Sequence, residues 1–214
     1  MRVIIFANGE LQHPQSVLEI IQDGDVLIAA DGGARHCLSL GLFPKLVIGD
    51  FDSLSEAELR ELEEAGAEIL RHPTDKDETD LELALLKARE YKPKEIIILG
   101  ALGARWDMTL ANLLLLAHRE LGSQKIRIID GYQELSLLRN GESMEIHGHA
   151  GDTVSLIPIL GDARGISTQG LVYPLKNGTL HVGASRGVSN VMKNQYARVE
   201  LEEGLLLVVL IKDH

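Results

Sequence analysis

One cysteine, Cys37, occurs in the 214 residues. No disulfide can close within the chain, so the expected location is the reducing cytoplasm. With no reactive motif around it, Cys37 reads as a small apolar residue inside a helix. Long apolar runs are missing: the longest, Leu205 to Ile211, is far too short to span a bilayer as a helix. Met1-Arg2 lead straight into Val3-Ile4-Ile5-Phe6 without the pattern of a secretory leader, so that run is read as a first strand. Positive charge is scarce. Twenty-one Lys and Arg against 32 Asp and Glu give a formal net charge of -11, which speaks against general binding to nucleic acid or to anionic membrane and favours a cationic ligand. A phosphorylated ligand has to be met through a metal ion or through backbone amides. Neither G-x-x-x-x-G-K-[ST] nor G-x-G-x-x-G occurs, which removes a P-loop kinase and an ordinary dinucleotide fold. His147-Gly148-His149 has no nearby cysteine or third ligand, which argues against zinc. There is no internal repeat and no low-complexity linker.

What is present is an ordinary globular composition, 45% hydrophobic and 25% charged, long enough to bury a substantial core. Up to about Asp130, short β-branched runs (Val3 to Ala7, Val26 to Ala30, Leu46 to Ile48, Ala67 to Leu70, Ile96 to Leu99, Ile126 to Ile129) alternate with helix-length segments near Ser16 to Gln22, Ala34 to Leu40, Glu56 to Ala65, Thr79 to Glu90 and Asp107 to Glu120. In the fourth helix Leu81, Ala84, Leu85 and Ala88 share one face, and in the fifth Leu110, Leu113, Leu114 and Ala117 do. Nearly continuous apolar strands between helices predict a parallel sheet covered on both faces. Beyond Asp130 helical periodicity ends, and glycines punctuate short runs such as Thr153 to Ile157, Gly170 to Pro174, Thr179 to Val182, Ala197 to Leu201 and Leu205 to Ile211. The expected fold is an N-terminal three-layer α/β domain, residues 1–140, followed by a C-terminal antiparallel β-sandwich, residues 141–214.

Two acidic stretches organise the first half. Gly49-Asp50-Phe51-Asp52-Ser53 and Asp75-Lys76-Asp77-Glu78-Thr79-Asp80 each follow a strand-like run and lead into a helix, at the edge where open α/β sheets bind ligands. Their carboxylates, placed close together, call for a divalent cation; Mg²⁺ takes one or two carboxylates and completes its shell with water and phosphate oxygens. Ser53-Leu54-Ser55-Glu56 and Thr79-Asp80-Leu81-Glu82 also fit a capping box, which accounts for Ser53, Glu56, Thr79 and Glu82 but not for Asp50, Asp52, Asp75 and Asp77. Asp31-Gly32-Gly33 ends the second strand, as either a plain turn or a grip on ribose or base. Gly100 to Asp107 opens the fifth helix, where backbone amides and Arg105 suit an anion and Asp107 suits an N-cap. Asn112, among leucines, is either helix surface or a specific contact.

Asp31-Gly32-Gly33, Gly49-Asp50-Phe51-Asp52-Ser53, Asp75 to Asp80, Gly103-Ala104-Arg105-Trp106-Asp107 with Asn112, and Gly187-Val188-Ser189-Asn190 together resemble the thiamine pyrophosphokinase (thiamine diphosphokinase) family, in order and over nearly the whole chain. The resemblance implies an α/β domain for ATP and Mg²⁺, a β-sandwich that helps to hold thiamine, and an active site shared across a homodimer. It places the metal on Asp50, Asp52, Asp75 and Asp77, with Asp50, Asp52 and Asp77 catalytic. It places the nucleotide on Asp31, Gly32, Thr79, Asp80, Gly103, Arg105, Asp107 and Asn112, and thiamine beside Tyr173, Ser189 and Asn190. Two departures stand out. The family's Gly-Gly-Arg-x-Asp-His reads Gly103-Ala104-Arg105-Trp106-Asp107-Met108 here, and Leu205-Leu206-Leu207 lacks a tryptophan seen in some members. The implied reaction moves a diphosphoryl group from ATP to the thiamine hydroxyl. The alternatives are another Mg²⁺-dependent phosphotransferase or phosphohydrolase on the same sheet, and a non-catalytic thiamine or nucleotide sensor.

Overall fold

The computed structural model describes residues 1–212, which divide into two compact units, Met1–Gly131 and Tyr132 onward. The first holds six parallel strands, β1 (Val3–Phe6), β2 (Val26–Ala30), β3 (Leu46–Gly49), β4 (Glu68–Arg71), β5 (Ile96–Leu99) and β6 (Ile126–Asp130), in the order β4-β3-β2-β1-β5-β6. Between them run α1 (Pro14–Ile20), α2 (Gly33–Ser39), α3 (Glu56–Glu64), α4 (Asp80–Glu90) and α5 (Trp106–Leu115). Every residue of β1, β3 and β5 is buried, as strands covered on both faces require. Ile4 and Phe6 point into one core with Val17 of α1, Ala34 and Cys37 of α2 and Leu62 of α3.

The expected apolar face of α4 is borne out: Leu81, Ala84, Leu85 and Ala88 are all buried. The fifth helix is rolled differently from its apolar period. It buries Thr109 and Asn112, while Leu110 and Leu114 are 58% and 40% exposed. The reason is local. The Thr109 hydroxyl bonds both the amide and the carbonyl of Gly103, at 3.2 Å each, and Asn112 Nδ2 donates to the Ala101 carbonyl at 2.6 Å. Two polar anchors set the roll, and buried hydrogen bonds of this kind are expensive to break.

The second unit is antiparallel. β7 (Gln133–Leu138), β8 (Ser143–His147), β9 (Thr153–Gln169), β12 (Tyr196–Glu200) and β13 (Glu203–Ile211) follow the path β7-β13-β9-β12-β8, and the short β10 (Gly178–Leu180) and β11 (Asn190–Val191) attach to β9. The first part of β9 pairs with β13 and its last part with β12. Leu160 and Gly161, with positive φ values of 59° and 141°, lie where the pairing with β13 shifts register between Ile159 and Arg164. The change of partner comes after Arg164, at Gly165 with φ 66°. These irregularities bend the strand so that it serves both layers of a sandwich. Between the layers Val154, Leu156, Ile166, Leu180, Val199, Leu206 and Val208 form a closed core.

The division falls at Gly131/Tyr132, ahead of the expected boundary near Asn140, because β7 pairs along its whole length with β13, from Gln133↔Ile211 to Leu138↔Leu206. Gly170 to Pro174, expected as a strand, is instead a turn fastened by a single bridge between Leu171 and Met192. Among the described residues no helix is long and apolar enough to cross a membrane.

Candidate active site

β1, β2, β3 and β5 end along one edge of the parallel sheet, and a polar or glycine residue lies within two positions of each end: Asn8, Asp31, Asp50 and Gly100. The switch in strand order lies between β1 and β5. There the two loops are laced together by Ala7 N to Leu99 O (2.8 Å), Gly9 N to Gly100 O (2.7 Å) and Glu10 N to Leu102 O (2.9 Å). The acidic group lies beside this lacing, at the ends of β2 and β3.

Carboxylate oxygens of Asp31, Asp50 and Asp52 all lie within 4.8 Å of one another. Asp31 is 5% exposed, and its φ of 46° is in the left-handed region. Its backbone amide bonds Ile48 O at 2.8 Å. Asn8 Nδ2 reaches both Asp31 Oδ2 and Ser53 Oγ at 3.3 Å, leaving Asp31 Oδ1 buried with no hydrogen-bond partner. A buried carboxylate oxygen without a partner is costly, and a hard cation at this place removes that cost. Gly32 and Gly33 allow the crowding: a Cβ at Gly32 would lie 2.3 Å from Asn8 Oδ1, and one at Gly33 would lie 2.1 Å from the Phe6 carbonyl oxygen.

Asp75 and Asp77, expected with Asp50 and Asp52, stand exposed on the loop before α4, outside the three-carboxylate group. Asp31, expected beside nucleotide, joins Asp50 and Asp52 in it. Asp80 is paired with Lys76 at 3.0 Å. Its carboxyl is held above the usual carboxylate range, first by burial and further by the negative charges of Asp31 and Asp50, against the pull of Lys76. Thr79 is the N-cap of α4, accepting from Glu82 N at 3.2 Å. The other capping box lies two residues later than expected. It joins Ser55 and Glu58, which leaves Ser53 free to donate to Asp52 Oδ1 at 3.0 Å.

The loop before α5 also differs from expectation. The Gly103 amide is occupied by Thr109, so it is not available to an anion. Arg105 is the N-cap of α5, without a side-chain cap, and Asp107 lies inside the helix. The two side chains instead form a bidentate pair on the surface, Nε to Oδ1 at 3.2 Å and Nη2 to Oδ2 at 2.5 Å. Asn112 proves to be a buried contact.

In the second unit Tyr173, Ser189 and Asn190 come together. The Asn190 side chain accepts from Tyr173 N at 3.0 Å and donates to Tyr173 O at 2.8 Å. Ser189, with φ 59°, donates its amide to Ser155 Oγ at 3.1 Å. Tyr173 is 69% exposed.

Residues 17–129 match the family described as "Thiamin pyrophosphokinase, catalytic domain", and residues 143–206 match "Thiamin pyrophosphokinase, vitamin B1 binding domain". The chain belongs to the thiamine pyrophosphokinase family. The thiamine pyrophosphokinase of Bacillus subtilis (strain 168) is 32% identical over 186 residues, covering 87% of each chain. Thiamine pyrophosphokinase 2 of Arabidopsis thaliana is 29% identical over 209 residues, covering 86% of this chain and 78% of that one. The crystal structure of the Bacillus subtilis enzyme superimposes with a TM-score of 0.90 at 28% identity, covering 100% of both chains. At 16% identity and a TM-score of 0.83, the thiamin pyrophosphokinase of Candida albicans shares the fold. Asn8, Thr109 and Arg71 were not among the residues singled out by motif. Asn8 and Arg71 carried a positional signal, since each directly follows an expected strand, Val3 to Ala7 and Ala67 to Leu70, as Asp31 follows Val26 to Ala30.

Proposed function

We propose that the protein is a thiamine diphosphokinase, transferring the diphosphoryl group of ATP to the hydroxyl of thiamine to give thiamine diphosphate and AMP. The observation that carries this reading is the match of one chain to both the catalytic and the vitamin B1 binding domains, with three converging aspartates in the first. Asp31, Asp50 and Asp52 offer hard oxygens suited to Mg²⁺, with Asp75 and Asp77 on the exposed rim. A Mg²⁺ held by these residues would supply charge neutralisation on the phosphates. The hydroxyl oxygen of thiamine bonds to the β-phosphorus as the bond from that phosphorus to the α,β-bridging oxygen breaks, and AMP leaves with the electron pair. Asp77 accepts the hydroxyl proton, a modest contribution in a reaction that rests on positioning and charge neutralisation.

Gly32, Thr79, Asp80, Gly103, Arg105, Asp107 and Asn112 border the nucleotide. Thr109 and Asn112 brace the loop from which Arg105 exchanges Asp107 for phosphate oxygens. Tyr173, Ser189 and Asn190 meet thiamine, whose permanent positive charge suits an exposed aromatic ring and a chain of net charge -11. The working assembly in this reading is a cytoplasmic homodimer with the active site at the subunit interface.

Incubation of purified protein with ATP, Mg²⁺ and thiamine tests the reading. AMP and thiamine diphosphate are the expected products. ADP would indicate a simple kinase, free phosphate a hydrolase, and binding of both ligands without turnover a sensor.

A further inference from the structure

Phe51 stands between the two aspartates of the Asp50-Phe51-Asp52 turn with φ 65° and only 5% exposure. A bulky side chain in the left-handed region is a genuine outlier that costs on the order of a tenfold population penalty unless its surroundings hold it. This conformation turns the chain so that Asp50 and Asp52 both reach Asp31, and Asp52 N bonds Asp50 Oδ1 at 3.2 Å. Two contacts clamp the turn from the solvent side, and both come from Arg71, the last residue of β4. Its guanidinium lies 4.8 Å from the Phe51 ring centroid, and its Nη1 donates to the Asp50 carbonyl at 2.9 Å. Phe51 itself is seated in the core of the first unit, so the ring is held between core and guanidinium.

We infer that Arg71 is a positioning residue, which fixes the strained Asp50-Phe51-Asp52 turn and thereby raises the divalent-cation affinity of the Asp31, Asp50 and Asp52 group. This rests on the reading of that group as a cation site. The sign of the effect separates it from simple charge. A guanidinium near a cation site repels the cation, so by electrostatics alone its removal would tighten binding; a clamp predicts the opposite.

The experiment is titration of the full chain with Mn²⁺, followed by the electron paramagnetic resonance signal of the free ion, for the wild type, Arg71→Gln and Arg71→Lys. Both variants are expected to bind Mn²⁺ about five- to tenfold more weakly, because lysine keeps the charge but loses the planar stack and fork. Unchanged or tighter binding in Arg71→Gln would overturn the inference, as would a weaker grip on ATP with Mn²⁺ affinity intact. Should Arg71→Gln fail to fold, Phe51→Leu keeps an apolar plug but removes the ring under the guanidinium, and a similar loss of Mn²⁺ affinity is expected. Where both fold, the double variant should lose much less than the product of the two single effects; a full product means the residues act independently and removes the clamp. A wild type that binds no Mn²⁺ at all would instead overturn the underlying cation-site reading, a separate and recognisable outcome.

Discussion

The side-chain amide of Asn190 is closed onto the backbone of Tyr173 by two hydrogen bonds, one in each direction. Asn190 Oδ1 also accepts from Val191 N at 2.9 Å, so both of its lone pairs are engaged and only one Nδ2 hydrogen remains for a ligand. The chief effect of Asn190 is therefore to present the exposed Tyr173 ring. Asn190→Ala is expected to raise the KM for thiamine about tenfold, the loss of one to two net hydrogen bonds, while the KM for ATP stays unchanged. Adding Asn190→Ala to Tyr173→Ala should then do little more. Steady-state kinetics with each substrate varied in turn check this, and equal damage to both KM values would detach Asn190 from the thiamine side.

Asp52→Asn and Asp31→Asn should each lower the diphosphoryl transfer rate by orders of magnitude, because either removes a charged oxygen from the three-carboxylate group to which the proposed function assigns the divalent cation. Asp31→Asn should leave the thermal midpoint unchanged or higher, since it removes a buried carboxylate with an unpartnered oxygen. Rapid-quench measurement of AMP formation gives the rate, and near-normal turnover in Asp52→Asn would take that residue out of the site.

Arg105 and Asp107 are 74% and 65% exposed, and an ion pair in that setting holds its partners weakly. Exchange of Asp107 for phosphate therefore costs little, and Arg105→Lys, which loses the two-pronged geometry, should raise the KM for ATP about tenfold. Thermal stability should hardly move. Nucleotide titration by calorimetry decides it: unchanged affinity means that the loop serves something else.

The Ser55–Glu58 box gives α3 a defined acid sensitivity. The Ser55 hydroxyl, then the Ser55 amide and Arg35, hold the Glu58 carboxyl down to about 2 from an ordinary 4.5. A depressed acid stabilises the folded state above its unfolded value and loses that contribution as pH falls, here across the window from 4.5 to about 2. Glu58→Gln should cost roughly 1 kcal/mol at neutral pH and flatten the decline in melting temperature across that window. Scanning calorimetry of both proteins in acid provides the comparison, with parallel curves counting against the box.

Much of this molecule is legible in its residues taken one after another. Nearly uninterrupted apolar runs such as Val3-Ile4-Ile5-Phe6 mark strands buried on both faces, and Leu81, Ala84, Leu85 and Ala88 mark the buried face of α4, because burial follows the period of the backbone. The acidic motifs and the Ser189-Asn190 pair are likewise visible, since their chemistry is carried by residue type. The roll of α5 was not: Thr109 and Asn112 override its leucines through bonds to a loop several residues away in the chain. Nor was the membership of the carboxylate group. Asp31 joins Asp50 and Asp52 because β2 and β3 lie side by side in register, Ala30 opposite Ile48, whereas Asp75 and Asp77 follow an edge strand and remain in solvent. Local pattern settled which elements form. Only long-range strand pairing, and the few left-handed residues at its edge, decided which side chains meet.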